Sequence, residues 1–139
     1  MKTILSLSLI TAILLVSCGE KKKEAKDELY DKVMAVHDEI MPKMGDIMKL
    51  KKQLQEKIDE LSSGTEIDST KIDELEQAIA ELDNSHEEMM GWMRQFDNDF
   101  EGMVNEEIMK YLDGQMEKIE KVGQVTNAAL KNAEEKLAE

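Results

Sequence analysis

The chain has 139 residues, a net charge of −13 at pH 7 and charged side chains at 35% of its positions. Because nucleic-acid binding depends on neutralising phosphate groups, so acidic a composition excludes nucleic acid as a partner. A single proline and an aromatic content of 4% favour long helices over sheets, and the length suits one domain.

The amino terminus carries an apolar leader. Residues 1–17 read MKTILSLSLITAILLVS, in which one lysine precedes a run of apolar and small polar residues. The run is too short to span a membrane stably and has the layout of a secretory signal peptide. Cys18 and Gly19 follow, and the sequence LVSCG resembles a bacterial lipobox. The resemblance implies cleavage before Cys18, attachment of diacylglycerol to its thiol and acylation of the new amino terminus.

Lipidation of Cys18 determines where the mature protein resides. Cys18 is the only cysteine, so its acylation excludes a disulfide within the chain, a catalytic thiol and a thiolate zinc site. Two or three acyl chains hold a protein on a membrane, since each buried methylene contributes about 0.8 kcal/mol. Residues 18–26 then form the lipidated cysteine and a polar tether, whose lysines either rest against anionic head groups or only keep the tether soluble. The folded domain is predicted over residues 27–139.

The first predicted helix carries an unbroken heptad seam. Successive seam positions lie alternately three and four residues apart, and all are apolar except His37 and Lys51. The seam consists of Tyr30, Val33, His37, Ile40, Met44, Ile47, Lys51, Leu54, Ile58 and Leu61. The Ser-Ser-Gly sequence that ends at Gly64 predicts the end of this helix, and Asp68 is one of three residues able to cap the next one.

Two further helices are predicted. The seam of the second helix consists of Ile72, Leu75, Ile79, Leu82, His86, Met89, Met93, Phe96, Phe100 and Met103. Polar residues and a glycine predict a break between residues 97 and 105. The third helix has a weaker seam, which consists of Ile108, Leu112, Gln115, Ile119, Val122, Thr126, Ala129 and Ala133. Because short connections make successive helices antiparallel neighbours, the fold class is all-α: an elongated antiparallel three-helix coiled-coil bundle after a cleaved lipoprotein signal peptide.

Two similar octets contain the only histidines of the protein. Residues 37–44 read HDEIMPKM and residues 86–93 read HEEMMGWM. Folding the first two helices about the turn near residue 65 places the octets head to tail at the same level. Imidazole nitrogen and thioether sulfur are soft ligands that suit Cu(I) or Ag(I). The candidate metal ligands are His37, Met41, Met44, His86, Met90 and Met93.

Two other interpretations of the octets remain open. Methionine is a flexible core filler, and a polar residue in a heptad seam can fix helix register at some cost in stability. Histidine also titrates near neutrality, so the pair can act as a pH switch. Pro42 and Gly91 occupy the same octet position, and both residues weaken a helix there. We therefore expect the first helix to bend or break at Pro42.

A wider resemblance covers nearly the whole mature chain. It rests on the sequences YDKVMAVHDEIMPKMG, HEEMMGWMRQF and IMKYLDGQMEKIEKV, which begin at Tyr30, His86 and Ile108. These sequences resemble a group of small lipoproteins from Bacteroidota that are often labelled "viral A-type inclusion protein". That label carries no established activity. The resemblance implies a bacterial envelope lipoprotein.

Catalysis is not expected, because the sequence pairs no nucleophile with a base and has no glycine-rich phosphate loop. We expect a membrane-anchored envelope lipoprotein that acts as a structural or protein-interaction module, with the membrane and another envelope protein as partners. The alternative is a periplasmic Cu(I) or Ag(I) buffer or sensor. A small chaperone, a third class, needs an exposed apolar groove. Some bacteria retain a lipoprotein in the inner membrane when Asp follows the lipidated cysteine, but here Gly19 follows Cys18. This resembles a lipoprotein that is sorted to the outer membrane, and we expect the domain to face the periplasm.

Overall fold

The computed structural model describes residues 24–66 and 68–139. The predicted signal peptide, Cys18 and the tether lysines Lys21, Lys22 and Lys23 lie outside the described residues. The described chain forms four helices: α1 (Ala25–Ile40), α2 (Lys43–Ser63), α3 (Ser69–Gln95) and α4 (Asn105–Ala138). It contains no strand over these ranges. Helices α1 and α2 follow each other as one arm, so the molecule is an all-α three-helix bundle, as the sequence predicts.

The first arm is divided at Pro42. Met41 and Pro42 keep right-handed helical backbone angles, so the chain continues there without reversing its direction. Proline has no N–H to donate to the preceding turn. Beyond it, the N–H groups of Met44 and Gly45 bond three residues back, to the carbonyls of Met41 at 3.1 Å and Pro42 at 3.2 Å. The predicted break is therefore present in the first arm, whereas α3 continues through Gly91, which retains its N–H.

The turn between α2 and α3 lies where the Ser-Ser-Gly sequence predicts it. Gly64 is the residue after α2, but its backbone is extended, with φ −69° and ψ 166°, and not left-handed. The Ser63 hydroxyl donates to the Glu60 carbonyl at 2.9 Å and helps to close the last turn. Asp68 caps α3, since its Oδ1 accepts from the Lys71 N–H at 3.1 Å.

The predicted seams supply most of the core. Every apolar seam position from Val33 to Ile58 is buried, and so are all the predicted seam positions of α4, including Gln115 and Thr126. At the centre of the bundle the Ser85 hydroxyl donates to Thr126 Oγ1 at 3.0 Å, which joins α3 to α4 inside the core. Both hydroxyls are thus satisfied where an unpaired polar group would be costly.

The seam of α3 differs from the prediction. Leu75, Leu82 and Met89 are fully buried as expected. The other buried residues of α3 are not predicted seam positions. Ala78, Ser85 and Trp92 are buried, whereas Ile79 and His86 are half-buried and Met93 is 41% exposed. The reason is that α3 packs against α4 as well as α2. Its buried stripe is therefore wider than the seam of a helix that packs on a single neighbour, and the centre of the stripe does not coincide with the predicted seam.

The two ends of the bundle are built differently. At one end, Lys71 bonds Glu139, and Lys136 donates to Glu74 Oε2 at 2.8 Å. The bond from Glu74 raises the pKa of Lys136, and the bond from Lys71 lowers the pKa of Glu139.

The start of α1 and the connection between α3 and α4 form this second end. Lys26 Nζ donates to Asn105 Oδ1 at 3.1 Å, and the rings of Tyr30 and Phe100 meet edge to face at 6.3 Å. The chain therefore enters the bundle beside the connection over residues 96–104. The segment that precedes α1 leads to Cys18.

Candidate binding sites on α3

The octets lie side by side, as the position of the turn predicts. Two contacts bracket them: the ring of His37 lies 5.7 Å from the ring of Trp92, and Lys51 bonds Asp83. Helix geometry places the intervening residues of α1 and α2 level with residues 83–92 of α3, in opposite directions. The octets thus lie at the same level of the bundle.

The two histidines occupy different environments. The His37 side chain is 16% exposed, its Nδ1 lies 2.8 Å from Asp38 Oδ1, and its ring packs on Trp92. The His86 side chain is 35% exposed, and its Nδ1 lies 4.0 Å from Glu87 Oε1. One imidazole is therefore packed into the bundle, while the other is about one-third exposed.

The octet methionines range from buried to open. Met44 is buried, whereas Met41 and Met90 are partly buried and pack against the core. Met93 is 41% exposed, and Met48, one turn beyond the first octet, is 57% exposed. We define the octet face as the accessible side chains at this level of the bundle: Met41, Met48, His86, Met90 and Met93.

No group of three or more His, Cys, Asp or Glu side chains placed to hold a metal ion occurs within residues 24–66 and 68–139. A metal site on the octets therefore has to use thioether sulfur together with imidazole. Cu(I) binding by the six predicted ligands stays a prediction.

The connection between α3 and α4 contains the acidic sequence DNDFEG, in the region where the sequence predicts only a break. Asp97 Oδ1 accepts from the Asp99 N–H at 2.9 Å, and Asp99 Oδ1 accepts from the Glu101 N–H at 3.0 Å. Gly102 has φ 81°, a backbone region that glycine enters without steric cost. The Asp97 N–H donates to the Tyr111 hydroxyl at 2.7 Å. These bonds shape the loop and hold it against α4.

A second candidate site, which the sequence does not predict, is a groove between α3 and α4. Its volume is about 420 Å³. It is lined by Glu87, Glu88, Gly91, Trp92, Gln95, Gln115, Lys118, Lys121 and Val122. We call it the α3/α4 groove, and it lies on the side of α3 that faces away from α2.

Two buried polar atoms of the α3/α4 groove have no hydrogen-bond partner: Trp92 Nε1 and Gln115 Oε1. Leaving such a group unpaired costs about 1 to 3 kcal/mol. One atom is a donor and the other an acceptor, so a single bound group that both accepts and donates can satisfy the two together. The sequence offered one signal for this site, the polar Gln115 in an otherwise apolar seam.

No family model, curated protein or solved structure matches the chain. Within the described residues, none of the helices combines the length and apolar character needed to cross a membrane. The class that the fold defines is the all-α three-helix bundle, and the function has to be argued from its own surfaces.

Proposed function

We propose that the protein is a lipid-anchored helical module of the bacterial envelope that presents the octet face to another envelope protein. The observation that carries the proposal is the exposure of Met48 and Met93, at 57% and 41%, on the surface of a strongly acidic protein. Flexible, polarisable methionine side chains suit protein-binding surfaces, because they repack against the partner.

The position of the anchor supports the same proposal. Helix α1 begins at Ala25, so the tether after Cys18 spans at most about 25 Å when fully extended. His37 lies a further three turns along α1, about 18 Å from its start. The octet face then stands clear of the lipid head groups and within reach of a neighbouring envelope protein.

Site-specific photo-cross-linking in living cells tests this proposal. A photoreactive amino acid is placed at position 48 or 93 of the full chain, and the matched control carries it at Glu117, an exposed residue of α4. We expect positions 48 and 93 to give the same cross-linked product, because both side chains belong to the octet face. The control position should not give that product.

Two outcomes would overturn the proposed interaction. The first is the same product in equal yield from position 117, which would show non-specific collision. The second is the absence of any product from both octet positions while the chain is present at its normal level in the envelope.

Cu(I) binding is the second candidate function, and the observation that favours it is the side-by-side arrangement of the octets. It predicts a dissociation constant tighter than about 1 μM, or about −8 kcal/mol, in a titration of the full chain under reducing conditions. Replacing His37 and His86 together by Leu should abolish this binding. Replacing Met109 and Met116 by Leu is the control and should leave it unchanged. A dissociation constant for Cu(I) weaker than about 1 μM would contradict the metal-binding function, and only the proposed protein interaction would then remain for the octets.

A further inference from the structure

The unpaired atoms of the α3/α4 groove lie on its two walls. Trp92 comes from α3 and is 6% exposed, while Gln115 comes from α4 and is 5% exposed. Neither Trp92 Nε1 nor Gln115 Oε1 has a hydrogen-bond partner. Both atoms are buried, and each lacks the partner that a ligand entering between these residues would supply.

Neighbouring rings fix the orientation of the indole. The ring of Phe96 stacks on Trp92 with a centroid distance of 4.8 Å, and the ring of His37 lies at 5.7 Å. These rings occupy space beside the indole, so a ligand in the groove approaches its N–H edge and does not need to stack on it. Recognition therefore depends on a hydrogen bond with a defined direction.

Gly91 keeps the groove open. A Cβ atom at this position would meet only Arg94 Nη2, at the ordinary contact distance of 3.7 Å. Packing of the helices therefore does not require glycine here, although glycine disfavours the helix interior relative to alanine. A larger side chain at Gly91 would project into the α3/α4 groove.

The rim of the groove carries opposite charges on its two sides. Lys118 and Lys121 of α4 make no ion pair with any other residue that the structure describes. Glu88 lies on the α3 side, and Glu87 pairs with Arg94 at 3.5 Å. Two unpaired lysines on a protein with a net charge of −13 form a local site for an anionic group.

We propose that the α3/α4 groove binds the carboxyl-terminal end of a short peptide. The carbonyl of its last peptide unit accepts from Trp92 Nε1, and the N–H of that unit donates to Gln115 Oε1. The terminal carboxylate then lies by Lys118 and Lys121. The end of a peptide supplies these three features in order: the carbonyl oxygen is the acceptor, the N–H is the donor, and the terminal carboxylate carries the negative charge. The inference is independent of the proposed function, since the groove lies on a different side of α3 from the octet face.

The test uses the full chain in detergent, labelled with ¹⁵N at its single tryptophan, so that one indole N–H resonance reports on the site. The probe is N-acetyl-alanyl-alanine, and its carboxyl-terminal amide is the matched uncharged probe. We expect a saturable shift of the indole resonance with a dissociation constant below about 1 mM, and binding of the amide at least about tenfold weaker.

Variants locate the binding to the groove. Gly91→Leu should remove the shift, and Lys118→Ala with Lys121→Ala should weaken binding by at least about tenfold. Lys131→Ala is the control, because Lys131 is an exposed lysine of α4 that pairs with Glu135 outside the groove. If Gly91→Leu does not fold, Gly91→Phe and Gln115→Leu replace it, the first to fill the groove and the second to remove the acceptor.

Three results would overturn the proposal. An indole resonance that does not respond to the peptide at about 10 mM would show that the groove does not bind a peptide carboxyl terminus. A shift that is undiminished in the groove-filling or Gln115→Leu variants would place the binding elsewhere. Equal affinity for the acid and the amide would exclude recognition of the carboxylate.

Discussion

Replacing Leu82 by alanine is expected to lower the free energy of unfolding by about 2 to 5 kcal/mol. Leu82 is fully buried on the central line of α3, which packs against both α2 and α4. Alanine would lose the transfer free energy of the missing carbons and leave a cavity that the neighbouring helices fill only in part. Leu54, on α2, is equally buried and should show a loss in the same range. Urea denaturation of the full chain, followed by circular dichroism, measures both.

Met48→Ala is the matched control for the core variants. It also removes a large apolar side chain from a helix, but Met48 is 57% exposed, so its effect should stay within about 0.5 kcal/mol. A loss below about 0.5 kcal/mol at both Leu54 and Leu82 would contradict the assigned core.

The helices and their connections could be predicted from the sequence because their signals are local. Pro42 lacks an N–H, and this alone predicts the break in the first arm. Gln115 and Thr126 occupy predicted seam positions of α4, and both are buried although they are polar. In α4, heptad spacing therefore predicts burial better than residue polarity does.

The shifted seam of α3 could not be predicted in the same way. A helix that packs on two neighbours buries a wide stripe, and Ala78 and Ser85 give little hydrophobic signal on one flank of it. The apolar Ile79 and Met93 on the other flank gave the stronger signal in the sequence, although they are less buried.

The two candidate sites differ in how far the sequence reveals them. The octets are repeated in the sequence, and a single turn near residue 65 places them level. The α3/α4 groove depends on which residues of α4 face Trp92, and this depends on the path of the loop between the helices. Nothing in the sequence alone pairs Trp92 with Gln115.

Replacing Cys18 by serine is expected to move the protein almost completely from the membrane fraction to the soluble fraction. Serine has no thiol to accept diacylglycerol, so the variant would lack the acyl chains of the proposed anchor. Cell fractionation followed by immunoblotting measures the change. Lys22→Ala is the control: it removes one charge of the tether but leaves the anchor, so the variant should stay with the membrane.

Mass spectrometry of the amino-terminal peptide of the native protein tests the central claim most directly, because an envelope module held by lipid must carry that lipid. We predict a peptide that starts at Cys18 and carries diacylglycerol on the thiol and an acyl chain on the amino group. A native protein with an unmodified Cys18, or one that is cleaved at another position, would contradict the claim.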